Sequence, residues 1–211
     1  MQRPIRALKD EGFTVVEILP GPDGRIDTQK FLQEIDKNTV LAACMAVNNE
    51  TGAVQDIAAL GKGIKARNSR THFHVDAVQA WLRMPIDLQK WREVDSFPCR
   101  ATRSTRQRVW ARSLSGTASA RPSSALHRRP SGARPAPRHR EHAYIVGLGM
   151  AAALGQQKLR TRMTRIAELN AKLRAGLAAL DGITLNSPAD AVGRSSTSRP
   201  TASTARPLSI I

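Results

Sequence analysis

Aromatic side chains are scarce: four Phe, three Trp and one Tyr make up 4% of the 211 residues. Surfaces that stack single-stranded bases interleave aromatics with positive charge, so this scarcity weighs against that kind of surface. There are two cysteines, Cys44 and Cys99. Two thiols do not make a disulfide scaffold, and no CxxC or Cys/His spacing points to a metal. No run is long and apolar enough to span a bilayer. The opening Met1-Gln-Arg-Pro-Ile-Arg lacks the apolar centre of a signal peptide, so the expected compartment is the cytoplasm with no membrane partner. Lysine is missing altogether between Lys90 and Lys158.

What is abundant is arginine. The formal charge is +16, which taken alone suggests a nucleic-acid partner. Its distribution argues otherwise. Residues 98–142 hold 11 Arg, no Lys and one acid, Glu141, and residues 194–211 add Arg194, Arg199 and Arg206. Those two segments carry +13 of the +16. The basicity therefore sits in two stretches and is not spread over a folded surface.

Residues 1–97 have the pattern of an α/β protein. The stretch from Ile5 to Gly12 suits the end of a helix. Phe13-Thr-Val-Val-Glu-Ile-Leu reads as a strand, closed by Pro20-Gly-Pro-Asp-Gly. Asp27 or Thr28 can cap a helix carrying Phe31, Leu32 and Ile35. Thr39-Val-Leu-Ala-Ala-Cys-Met-Ala-Val is a continuous apolar run, the pattern of a parallel strand covered on both faces. Asp56 opens a helix through Ile57, Leu60 and Ile64, and Thr71-His-Phe-His-Val-Asp is the next strand. This order predicts a right-handed βαβ unit in a parallel sheet. From Pro98 to His142 no apolar period exists, and such a stretch cannot bury enough surface to offset its ordering entropy. A helical period resumes at Ala143 and runs through Leu159, Met163, Ile166, Leu169, Leu173, Leu177 and Leu180. Gly182 is a stop, Ile183-Thr-Leu starts a strand, and order is lost again after Val192.

Ligands of open parallel sheets bind beyond the carboxyl ends of the strands. Two polar clusters fall there: Asn48-Asn49-Glu50-Thr51-Gly52, and Asp76-Ala-Val-Gln79. An Asn, an Asp and a Gln on one rim can grip a polar heteroaromatic ring, and a buried Asp can hold a protonated ring nitrogen. The same residue types also serve as plain turn and capping residues. Cys44, inside the apolar run, reads as core. Cys99 has no neighbouring base or helix start to activate it. His74 has two readings, a structural strand histidine, the commoner case, and a direct role at the site.

The stretch Val47-Asn-Asn-Glu-Thr-Gly-Ala-Val-Gln-Asp-Ile resembles a signature of the cysteine desulfurases, which are class V aminotransferases of the fold-type I pyridoxal-phosphate (PLP) group. His74-Val-Asp-Ala-Val-Gln79 resembles the next signature. Pro85-Ile-Asp-Leu, Val94-Asp-Ser-Phe97, Gly12-Phe-Thr-Val with Asp23-Gly-Arg-Ile-Asp27, and Ala143-Tyr-Ile-Val-Gly-Leu-Gly follow in family order. The resemblance covers residues 5–97 and 143–192. It implies a partial PLP-transferase large domain over 1–97 (a parallel-type sheet with flanking helices), and a helix with the start of a small domain over 143–192. It also implies PLP as cofactor, with Asn49 and Gln79 hydrogen-bonding it and Asp76 pairing with the pyridinium nitrogen. The intact family takes sulfur from cysteine, releases alanine and works as a homodimer.

The family's Ser-x-His-Lys motif, whose lysine forms the Schiff base, belongs just after Phe97. Here the sequence reads Pro98-Cys-Arg-Ala-Thr-Arg103, and a guanidinium does not form the imine. Back-translation of residues 101–113, read from the third base of each codon, allows His-Lys-Ile-His-Ala-Ala-Lys-Gly-Val-Gly-Ala-Leu, which resembles the Schiff-base segment. Residues 127–142, read from the second base, allow a string containing Pro-Gly-Thr, which resembles the next motif. Both 98–142 and the tail 193–211 are therefore expected to be disordered, Arg-rich and out of frame. The family's phosphate-binding loop and catalytic cysteine are expected to lie outside this chain, so no catalytic residue is assigned and the chain is expected to be inactive. The rival readings are another class V enzyme, such as a selenocysteine lyase, and a basic nucleic-acid module using 98–142.

Overall fold

The computed structural model describes residues 2–99, 112–115, 139–192, 196–200 and 208–210. Two parallel strands begin its four-stranded sheet. β1 (Leu41–Met45) and β2 (His72–Asp76) pair residue for residue, from Leu41 opposite His72 to Met45 opposite Asp76. Helix α3 (Ile57–Arg67) lies between them in sequence, the connection parallel strands require. β3 (Ser96–Cys99) continues the sheet in parallel, with Ser96 opposite His74, and β4 (Arg112–Ser115) closes it in antiparallel.

A strand's period of two sorts the side chains. Ala42, Cys44, Phe73 and Val75 point into the core, where Ile57, Leu60 and Ile64 of α3 and Phe31 of the short helix α2 (Thr28–Gln33) meet them. Fully burying a side chain such as Phe73 or Ile64 is worth roughly 1.5–3 kcal/mol. Asp27 caps α2, accepting from the amides of Gln29 and Lys30, and Asp56 caps α3 through the amide of Ala59. Both caps fall where the sequence indicates. Lys65 of α3 bonds Asp95 at 2.6 Å and the carbonyl of Thr71 at 2.7 Å, while Asp95 also accepts from the amide of Phe73. One carboxylate thus ties β2, the approach to β3 and α3 together.

Two expectations are corrected. Residues 13–19 form no strand: the segment has no ladder partner among the described residues, and Leu19 is 84% exposed. β-branched composition favours a strand only where a neighbour takes up its hydrogen bonds. β1 is also covered on one face only among the described residues, because Leu41 is 48% exposed and Ala43 is exposed. An apolar run is compatible with double coverage without requiring it.

The N-terminal helix α1 (Gln2–Asp10) precedes residues 13–19. After residue 138 the single long helix of the sequence reading is two, α4 (His139–Gln157) and α5 (Leu159–Ala178), separated at Lys158. β5 (Ile183–Leu185) forms where expected and pairs antiparallel with β6 (Ser196–Pro200), which pairs with β7 (Leu208–Ile210). Of the two segments expected to be disordered, β3 takes Pro98 and Cys99, β4 takes 112–115, the start of α4 takes 139–142, and β6 and β7 take 196–200 and 208–210. The rest of both segments lies outside the described residues.

Candidate functional site

Because β1 and β2 are parallel neighbours in matched register, the loops leaving their carboxyl ends emerge side by side. That places the two polar clusters on one rim. The amide of Ala46 bonds the carbonyl of Asp76 at 2.9 Å, which fixes the first loop to the end of β2.

The first loop folds back on itself. The amide of Asn48 bonds the carbonyl of Ala53, and the Asn48 side-chain oxygen accepts from the amides of Glu50 at 2.8 Å and Thr51 at 3.0 Å. Gly52 takes a positive φ of 73° at the turn, a conformation that glycine adopts without a Cβ penalty. Asn48 is therefore the turn former, the plainer reading of this residue type. Asn49 sits at the exposed tip, with no hydrogen bond among the described residues. Gln55 anchors the base of the loop, accepting from the amide of Ile26 and donating to the carbonyl of Gly24.

The second cluster divides in the same way. One oxygen of Asp76 accepts from the amide of Val78 at 3.0 Å, which starts the turn through Ala77 and Ala80. Asp76 is half-buried, and its other oxygen carries no hydrogen bond among the described residues. Gln79 is only 8% exposed, yet its amide has no partner among them either. Asn49, Asp76 and Gln79 thus share one rim, and each has hydrogen-bonding capacity to spare.

That donor set fits part of PLP. A carboxylate with a free oxygen suits a protonated ring nitrogen, and two amides suit the ring's polar substituents. It does not fit covalent attachment, because no lysine lies between Lys90 and Lys158. Cys44 is no substitute nucleophile: it is buried in β1, its sulfur faces the carbonyl of Met45, and burial pushes its pKa up to about 12. An open cleft of about 370 Å³ lies on the loop before α2, lined by residues such as Asp23, Arg25 and Lys30. None of Asn49, Asp76 or Gln79 lines it. Its Arg25 is already engaged by Asp23 and Asp190.

Two features of the site escape a reading of the sequence. His74 does not stand alone: Ser96 Oγ lies 2.9 Å from His74 Nδ1 and 2.7 Å from His72 Nε2. Desolvation lowers the pKa of His74, against the opposing pull of Asp76. The alternation Thr-His-Phe-His carries the signal for the two histidines, but Ser96 comes from another strand. The second feature is a brace on the Asn49 loop from the far end of the chain. The amide of Val192 bonds the carbonyl of Gly52 at 2.9 Å, and Thr197 Oγ1 donates to the carbonyl of Glu50 at 2.8 Å. No local pattern encodes a contact over such a separation.

Comparison with known proteins follows the same lines. The family described as aminotransferase class-V matches residues 2–97. A cysteine desulfurase IscS of Methylobacillus flagellatus is 31% identical over 195 residues, spanning 86% of this chain and 44% of that protein. One from Escherichia coli is 31% identical over 194 residues, with the same coverage. Among solved structures, a NifS-like protein aligns with a TM-score of 0.76 at 23% identity, covering 93% of this chain and 53% of its own. DndA from Streptomyces lividans aligns at 0.73 and 24% identity, covering 93% and 56%. The chain spans less than half the length of the curated relatives named here.

Proposed function

We propose that this chain, which belongs to the cysteine desulfurase family of class-V aminotransferases, is a partial cofactor-holding domain that binds PLP without covalent attachment and does not turn over cysteine. The observation that carries this reading is the shared rim of Asn49, Asp76 and Gln79. Its hydrogen-bonding groups are left over after the turns are satisfied. PLP, when bound, supplies an electron sink for bonds at the substrate's α-carbon. Asp76 holds the proton on the ring nitrogen, and Asn49 and Gln79 orient the ring. No residue between Lys90 and Lys158 can serve as the lysine that holds the cofactor covalently and moves a proton afterwards, so no further step is assigned to this chain.

The same reading extends to organisation. Residues 1–97 are part of the large domain and 143–192 lead into the small one. The segments 98–142 and 193–211 are out-of-frame translation, which accounts for +13 of the +16 charge. Intact members of the family act on cysteine as homodimers, and the cytoplasm is the compartment proposed for this chain. No helix among the described residues is long and apolar enough to cross a membrane.

Equilibrium dialysis of the purified chain against PLP tests the proposal. Saturable binding is expected. Asp76→Ala removes a charge-assisted hydrogen bond worth roughly 1.5–3 kcal/mol, which corresponds to about 10- to 150-fold weaker binding. Asn49→Ala and Gln79→Ala weaken it less. Binding that none of the three changes removes the rim from the account, and no binding at all removes the cofactor-holding role.

A further inference from the structure

The proposed cofactor contacts leave a second polar feature of the sheet unused. β2 presents His72, His74 and Asp76 on one face, and Phe73 and Val75 on the other. On the first face two imidazole nitrogens converge on a single atom. His72 Nε2 is 2.7 Å and His74 Nδ1 is 2.9 Å from Ser96 Oγ. The two nitrogens can be no farther apart than the sum of those distances. His72 is exposed, His74 is half-buried, and the neighbouring Leu41 and Ala43 of β1 are exposed as well. This part of the face is open to solvent.

We infer that His72 and His74 form a two-histidine site for a divalent transition-metal ion of the kind that favours imidazole: Cu2+, Ni2+ or Zn2+. Histidines two apart on a strand share a face, so both rings reach one point without any change of backbone. A metal bound at about 2.0–2.1 Å from each nitrogen requires the rings to close part of the gap now held by the serine hydroxyl. Rotation of the side chains, one of them exposed, supplies that movement. In the metal-free chain the hydroxyl can donate to one ring and accept from the other, so a metal ion has to displace these two hydrogen bonds. Among the described residues no group of three or more His, Cys, Asp or Glu side chains is placed to hold a metal. The site therefore has two protein ligands, with water in the remaining positions, and is of the exchangeable kind. Imidazole donors select against Mg2+ and Ca2+, which take oxygen ligands. The inference does not depend on PLP binding.

The test is titration of the untagged full chain with Cu2+, Ni2+, Zn2+ and Mg2+, followed by calorimetry. One Ni2+ or Zn2+ per chain is expected, with Cu2+ tighter and Mg2+ not bound, following the usual order of affinities. His72→Asn and His74→Asn should each weaken Ni2+ binding by more than about 10-fold, since loss of a ligand's outer partner alone typically costs that much. Ser96→Ala should retain binding, because the hydroxyl is only a placeholder. Circular dichroism establishes that each variant is folded. If His74→Asn is not, His72→Asn decides, since an exposed residue can be replaced without disturbing the core. No saturable binding, binding of Mg2+ as tight as Ni2+, or wild-type affinity in His72→Asn overturns the inference. The last result would place the ion on His127, His139 or His142.

Discussion

At the scale of single residues, environment decides what each polar or reactive group does. Asn48 and Asn49 are neighbours of one type, yet the first closes the turn and the second is left with its amide free. Composition cannot tell them apart; the turn's hydrogen-bond pattern does. Cys44 was legible as core because it lies inside an apolar run, and its raised pKa follows from burial. Iodoacetamide at pH 8 should therefore leave Cys44 unmodified in the folded chain and label it after denaturation, as peptide mapping would show. The sign of the linkage follows too. A thiol whose pKa rises from 9.0 to about 12 on folding contributes stability in full below pH 9, and loses it as the pH climbs towards 12. Rapid native labelling of Cys44 would contradict its placement in the core.

At the scale of elements, most of the fold near the site was legible. The caps Asp27 and Asp56, the helix α3 and the strands β1, β2 and β5 fall where period and capping chemistry put them. The failures have a common physical cause. Residues 13–19 have strand composition but no partner, and the coverage of a sheet face depends on other elements. Neither is a property of the segment itself. The brace from Val192 and Thr197 onto the Asn49 loop is invisible locally for the same reason. Asp95 is the sharpest case: nothing in Val94-Asp-Ser-Phe97 announces that one carboxylate holds Lys65 and the amide of Phe73 together. Asp95→Ala should lower stability by about 2 kcal/mol, the value of a lost charge-assisted bond, measured as a shift in urea midpoint with unchanged slope. A shift within error of zero would show that the three elements are held by apolar packing alone.

At the scale of the whole molecule, composition and motif order point in different directions. A charge of +16 suggests a binder of nucleic acid, whereas ordered motifs suggest a domain of a PLP enzyme interrupted by out-of-frame segments. Rereading the coding DNA separates the two. Shifted frames across 98–142 should encode a Ser-x-His-Lys-like string, and their absence would make the basic segment a true part of the protein. The family assignment rests on matches spread along the chain, while the proposed catalytic deficit rests on one missing amine. The most direct measurement is therefore alanine release from cysteine by the purified chain with saturating PLP. The account predicts none above the rate of PLP alone, and alanine formed catalytically by this chain would contradict it.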